Sequence, residues 1–362
     1  MTVAAPGFEL VAEEFERTRS GGAAFAAVVD GELVVDVTGG MDDDALVLVF
    51  SGTKGLVAVC MLLLLERGLL ELDAPVARYW PEFADRRVLV HHVVSHTAGV
   101  PGLRRGLAAA DLLDPQAREA ELAAEPPLWE PGTRLAYHAF SYGWLCDALI
   151  RRVDGRSTGR FFADEVAAPL GLELWIGLPA EEEHRVARLR RAEGYAPTVL
   201  GDEPSPLLEV LYGSVAAEFP WNEPEFHAAE IPAGNAIGTA RSIARLYGSL
   251  DRVLSPETIR LGRTELSRGL CAVTRRPYAF GVGFELQTEL RTLGPPPAAF
   301  GHTGSGGSSH GAWPEDRVGY SYAMTELRAE AVDDRARRVL GALAQAVRER
   351  SSVAQKSSPV SM

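Results

Sequence analysis

Residues 45–68 read ALVLVFSGTKGLVAVCMLLLLERG, and the pattern changes at Ser51. A short β-rich run stands before it. After it come helix formers as far as Gly68, so the segment reads as a strand leading directly into a helix opened by Ser51 and closed at Gly68. The apolar run Leu56–Leu65 is about half of the roughly 20 residues that cross a bilayer, and it predicts a buried helix. Ser51 and Lys54 are three apart, which places them on one helical face with Cβ atoms roughly 5–6 Å apart. A serine hydroxyl is a weak nucleophile until a base takes its proton. A neutral lysine can be that base, and burial together with the positive end of the helix dipole favours the neutral form. The S-x-x-K spacing alone is weak evidence, because chance produces it in many chains.

Upstream, FELVAEEFERT (residues 8–18) repeats apolar positions at helical spacing, and AAFAAVVD and ELVVDVTGG read as two strands joined at Asp30-Gly31. Downstream, from about Pro75 to Ile231, helical stretches alternate with Pro and Gly loops, as in HHVVSHTAGVPG, SYGWLCDALIRRVDG and GRFFADEVAAPLGL. The stretches EPSPLLEV and FPWNEPEFHAAEIP are Pro-rich and irregular, suited to a surface loop or to a cleft wall. Strand-like runs return in FGVGFELQ, FGHTGSGGSSHGAW and RVGYSYAMT, followed by a helix at about 330–349 and a frayed tail at 351–362. The expected architecture is α+β: an antiparallel sheet flanked by helices, built from residues 1–75 and 232–350, with residues 76–231 as a mostly helical insertion domain.

A composition of 46% hydrophobic and 23% charged residues is that of an ordinary folded protein. The formal net charge of −13 repels phosphate backbones and anionic lipid, which argues against nucleic acid and membrane as partners. The first residues lack a basic start, apolar core and cleavage site, so the expected location is the cytoplasm. Cys60, Cys146 and Cys271 lack C-x-x-C spacing and read as reduced core thiols.

Two further motifs accompany Ser51 and Lys54. Tyr137-His138-Ala139 lies within LAYHAFSYGWL, and His302-Thr303-Gly304-Ser305 lies in a Gly-rich stretch. With the phrases VFSGTKG, VVSHTAGVPG, FGVGFEL and FGHTGSGGSSHGAWP around them, the chain resembles the serine β-lactamase and penicillin-binding superfamily. The likeness is to the branch of class C β-lactamases with esterase and transacylase relatives, over most of residues 8–345. The resemblance implies the β-lactamase/transpeptidase-like fold. It also implies Ser51 as acylated nucleophile, Lys54 as its proton acceptor and Tyr137 as the group that relays the proton to the leaving group. By the same likeness the backbone N–H groups of Ser51 and Ser305 form the oxyanion hole, His302 and Gly304 belong to the substrate-binding edge, and the glycines at 304, 306 and 307 let substrate approach the backbone. Two positions depart from the family's β-lactamases: Ala139 stands where they have Asn, and His302 where they have Lys. Both changes remove groups suited to a β-lactam, and His302 is as in the esterase branch.

Other patterns compete. Gly307-Ser308-Ser309-His310-Gly311 matches G-x-S-x-G, but that motif needs a strand before and a helix after the serine, and a strand-like segment follows here. His92 and His96, four apart, lack the Glu of a metalloprotease helix and read as structural. The acidic Asp42-Asp43-Asp44 reads as a solvated turn. The leading expectation is a serine hydrolase that cleaves a small-molecule carboxylic ester through an acyl-enzyme. A transacylase passing the acyl group to an amine or alcohol comes second, and a β-lactamase or a noncatalytic binding protein after that. No metal or organic cofactor is required, since protein groups supply nucleophile, base and oxyanion donors.

Overall fold

The computed structural model describes residues 3–105, 109–195, 207, 220–329 and 332–357. Strand β1 (Val3–Ala4) and helix α1 (Glu9–Thr18) precede the hairpin of β2 (Ala23–Val29) and β3 (Glu32–Gly39). Asp30 and Gly31 turn that hairpin with φ of 52° and 83°, the two-residue geometry whose twist matches the flanking strands. The remaining strands are β4 (Val47–Leu48), β5 (Leu174–Ile176), β6 (Arg190–Arg191), β7 (Ala236–Gly238), β8 (Ser267–Leu270), β9 (Pro277–Phe280) and β10 (Glu285–Leu286). Then follow β11 (Phe300–Gly304), β12 (Ser308–Trp313), β13 (Val318–Met324) and β14 (Glu326–Leu327).

A nine-stranded antiparallel sheet runs in the order β1-β3-β2-β13-β12-β11-β10-β9-β8. Its closure between the two ends of the chain is the pairing of β2 with β13, from Ala23 opposite Met324 to Val29 opposite Val318. Strand β2 is buried along its whole length, and its alternation sorts it to two faces. Phe25, Ala27 and Val29 meet α1 and the C-terminal helix (Arg335–Ser357) through Phe15, Val339 and Leu343. Ala24, Ala26 and Val28 meet Ala240 and Ala244 of the helix Ala240–Gly248, where small side chains let helix and sheet approach closely.

Helix α2 (Thr53–Glu66) is the centre of the larger core. Every residue from Thr53 to Leu64 is buried, as the unbroken apolar run predicts. It packs with the helix Ser141–Asp154 through Tyr142, Leu145 and Leu149, and with Val94, Leu246 and Phe284. The α+β reading, the N-terminal hairpin and the returning C-terminal strands are all present. Two boundaries differ from the sequence expectation. The C-terminal helix continues to Ser357, well beyond 349. Ser51 lies in a 3-10 turn, Phe50–Gly52, that runs directly into the α-helix beginning at Thr53, and no side chain caps that helix. Most of EPSPLLEV lies outside the described residues.

Because Leu62 is fully buried in α2, Leu62→Ala should cost about 2–5 kcal/mol of unfolding free energy, although alanine is the better helix former. Urea denaturation checks this, and a loss below about 1 kcal/mol would contradict the packing described for α2.

Candidate active site

Phe50 adopts φ 49°, a left-handed conformation that a bulky residue takes only when its surroundings impose it. Those surroundings are identifiable. The Thr53 hydroxyl donates to the Phe50 carbonyl at 2.5 Å and accepts from the Ala236 N–H at 2.8 Å, and the Val49 N–H donates to the Ala236 carbonyl at 2.9 Å. The Phe50 ring meets Trp221 edge-on with centroids 5.4 Å apart. β7 and this threonine therefore turn the chain sharply out of β4 and leave Ser51 half-buried above the start of α2.

Lys54 follows on the buried face and is completely enclosed. Its Nζ lies 3.1 Å from Ser51 Oγ and donates to the Ala233 carbonyl at 2.7 Å. Burial holds the amine well below the usual lysine range; Cys146 and Glu285 oppose this only in part. The Tyr137 ring stands 4.9 Å from Lys54 Nζ, centroid to nitrogen. Tyr137 is itself fixed: its N–H donates to Cys271 Sγ at 3.2 Å, and its ring stacks on Tyr278 at 5.2 Å and leans on His96 at 5.0 Å. The three residues singled out from the motifs are thus brought together around the Lys54 amine.

His302 and Ser305 come from β11 and the turn after it. His302 is fully buried, with its ring centroid 6.2 Å from that of Tyr137 and its Nδ1 2.7 Å from the Thr303 carbonyl. Burial, with the nearby Lys54 adding to it, pushes the imidazole down to about 3, so His302 is neutral and forms a wall of the lysine pocket. The glycines of this turn also have a packing reason. A Cβ on Gly304 would sit 2.3 Å from the Val49 carbonyl, one on Gly306 would meet Leu327 at 2.6 Å, and one on Gly307 would meet Asp333 at 2.0 Å. They let the turn pack against the segment preceding Ser51 and against the C-terminal region.

The remaining sequence candidates have structural partners. Ser309 sits within β12 and donates to the Thr292 carbonyl at 3.0 Å, so it is not on a strand-to-helix elbow. His92 Nδ1 accepts from the Leu89 N–H, and His96 Nδ1 accepts from the His138 N–H, which turns the two histidines to separate tasks. All three cysteines are free and buried.

Sequence reasoning missed Glu285, which is buried on β10 beneath β11. It accepts from the Thr303 N–H at 3.0 Å and the Thr303 hydroxyl at 2.8 Å, and its pKa is raised by burial against the lowering effect of those bonds. A single acid in the apolar run FGVGFEL was the available signal. A second missed signal is compositional: the chain has only two lysines, Lys54 and Lys356, all its other Lys/Arg side chains being arginine. At Lys54 alone among the described core positions does an amine stand where arginine, which does not deprotonate, could not act as a base.

A serine within reach of a buried amine, with a tyrosine against that amine, defines a serine acyl-transfer enzyme. The chain belongs to the β-lactamase family, whose model matches residues 9–344. It is 35% identical over 346 residues to the esterase/beta-lactamase LipL of Mycobacterium tuberculosis, covering 88% of this chain and 79% of that protein. Among solved structures it is similar to a family VIII carboxylesterase (TM-score 0.87, 33% identity, 96% of this chain and 99% of that one). It is equally similar to a penicillin-binding protein homologue from Caulobacter crescentus (TM-score 0.87, 34% identity, 96% and 99%). The chain is accordingly a serine hydrolase of the esterase and β-lactamase type.

The depressed lysine has a kinetic consequence. If Lys54 is the base, the active form is the one that carries it neutral, so activity is present above its folded pKa and lost as pH falls through it. The acid limb of kcat/KM for p-nitrophenyl butyrate should therefore lie well below the ordinary lysine value of 10.5. A limb near 10.5 would contradict the assignment.

Proposed function

We propose that Ser51 hydrolyses small carboxylic esters through a covalent acyl-enzyme, with Lys54 as general base and Tyr137 as proton relay. The observation that carries this reading is the fully enclosed Lys54 amine, 3.1 Å from Ser51 Oγ and held below the usual lysine range by burial. With Lys54 neutral, the Ser51 hydroxyl donates across that contact. As Oγ bonds to the ester carbonyl carbon, its proton passes to Nζ, and the carbonyl π electrons move to the oxygen. The backbone N–H groups of Ser51 and Ser305 are the donors proposed for that oxyanion.

Collapse of the tetrahedral intermediate breaks the bond to the leaving alkoxide, which takes up a proton by way of Tyr137, regenerating neutral Lys54. Water then enters, gives its proton to the same pair and attacks the acyl carbon. Ser51 Oγ leaves as the departing group, takes a proton back, and the carboxylic acid is released. Acyl transfer to an alcohol or amine would use the same first half, with the acceptor in place of water.

The proposed preference for esters over β-lactams rests on two side chains. Ala139 offers no amide to hydrogen-bond a substrate amide, and neutral, buried His302 offers no positive charge to a β-lactam carboxylate. Nitrocefin turnover should be far slower than that of p-nitrophenyl butyrate; comparable rates would contradict the preference.

The test of the mechanism is an intact-mass time course with p-nitrophenyl butyrate, with and without added alcohol or amine. Wild type should carry one butyryl adduct that decays in water, and Ser51→Ala none. Lys54→Ala should slow acylation by about 10²–10⁴-fold. An adduct that persists until the acceptor is added identifies a transferase. An unchanged adduct on Ser51→Ala would remove Ser51 from the mechanism.

A further inference from the structure

The β11–β12 turn that carries Ser305 is held from behind by a buried ion pair far away in sequence. Arg335, the first residue of the C-terminal helix, and Asp333 have side chains only 2% and 3% exposed. Arg335 Nε donates to Asp333 Oδ1 at 2.8 Å and Nη2 to Asp333 Oδ2 at 2.6 Å. The same Nη2 donates to the Gly306 carbonyl at 3.0 Å and to the Glu326 carbonyl, on β14, also at 3.0 Å. The Arg328 N–H reaches the Gly306 carbonyl as well, at 3.2 Å. One guanidinium thus ties the middle of the turn to β14 and to the start of the C-terminal helix.

The pairing of Gly304 with Ser308 and the Gly307 N–H on the Gly304 carbonyl at 3.4 Å close the turn, and the Gly306 carbonyl at its tip is held by Arg328 and Arg335. Gly306 and Gly307 take φ of 84° and 114°, where glycine backbones move freely unless held. Gly304 is seated against the Val49 carbonyl on one side, and the Ser305 hydroxyl meets the Tyr195 hydroxyl at 2.9 Å on the other. Neither contact fixes the peptides that follow Ser305. The Gly306 carbonyl is fixed by the Arg328 N–H and by Arg335, and of the two only Arg335 is a side chain.

We infer that Arg335, oriented by Asp333, is a positioning residue for this enzyme: through the Gly306 carbonyl it sets the direction in which the Ser305 N–H meets the developing oxyanion. This rests on the reading of the Ser305 N–H as an oxyanion donor. Arg335 touches no substrate, and its effect should appear in the transition state and not in substrate binding.

Two variants test it. Arg335→Lys keeps the charge, but one ammonium replaces the planar fork that serves Asp333 and two carbonyls together. The double variant Asp333→Leu/Arg335→Met removes both charges, so no unpaired ion is left buried. Melting curves identify which of them fold, and kcat and KM for p-nitrophenyl butyrate are then measured, with the inhibition constant of phenylboronic acid as a tetrahedral mimic. Removing an oxyanion donor outright lowers kcat about 10²–10³-fold, so misdirecting one should lower it about 10–100-fold. KM should stay within about twofold, and boronate affinity should fall with kcat, as loss of transition-state binding requires.

Folded variants with wild-type kcat and boronate affinity, or with KM raised and kcat unchanged, would overturn the inference. Ser305→Pro, which deletes the N–H itself, separates it from the reading beneath it. If Ser305→Pro retains full activity, the oxyanion assignment fails. If Ser305→Pro is inactive while the Arg335 variants are unimpaired, only the positioning role fails.

Discussion

Lys54 reaches Ser51 from a helix that has no solvent-facing side near it, and much of the architecture follows from keeping that amine dry. Water would solvate the ammonium and restore an ordinary lysine pKa, so a lysine base requires an enclosing core. The enclosure comes from several parts of the chain. β7 and the segment before it supply the Ala233 carbonyl, the strand β11 supplies His302, and the cluster around Tyr137 closes the remaining side. With Lys54 as the proposed base, the unbroken apolar sequence of α2 serves the chemistry as well as the folding.

The same enclosure accounts for the state of the buried polar groups around the amine. His96 and His302 are both pushed below their ordinary range by burial, and Lys54 lowers both further, so the amine is ringed by neutral imidazoles and not by competing cations. Glu285 lies near enough to raise the lysine pKa, yet it is itself driven toward its neutral form by burial. What remains next to Ser51 is a poorly solvated amine with one firm carbonyl partner, in a pocket that a change of one buried charge would retune.

The parts legible in the sequence are those set by local spacing. Asp30-Gly31 between two β-rich runs could hardly be anything but a hairpin, and twelve consecutive buried positions from Thr53 to Leu64 matched an apolar run with no polar face. The three-residue interval from Ser51 to Lys54 put both groups on one face even though Ser51 proved to lie in a 3-10 turn. The positive φ of Phe50 was hidden, because nothing about phenylalanine favours it; Thr53 and Ala236, the latter nearly two hundred residues on, impose it. Gly304, Gly306 and Gly307 were conspicuous, but their neighbours Val49, Leu327 and Asp333 belong to the folded molecule and not to the local sequence. Arg335 was hidden for the same reason, since it looks like an ordinary surface charge until the C-terminal helix closes over it, whereas Glu285 left a trace as the single acid in FGVGFEL.

The central claim is that burial holds the Lys54 amine well below the usual lysine range, and the composition makes it directly measurable. With only Lys54 and Lys356 in the chain, lysine labelled with carbon-13 at Cε gives two NMR signals, and Lys54→Met assigns them. The Lys54 signal should titrate well below the ordinary lysine value of about 10.4. A Lys54 signal titrating near that value would contradict the claim, and with it the role proposed for Lys54 as base.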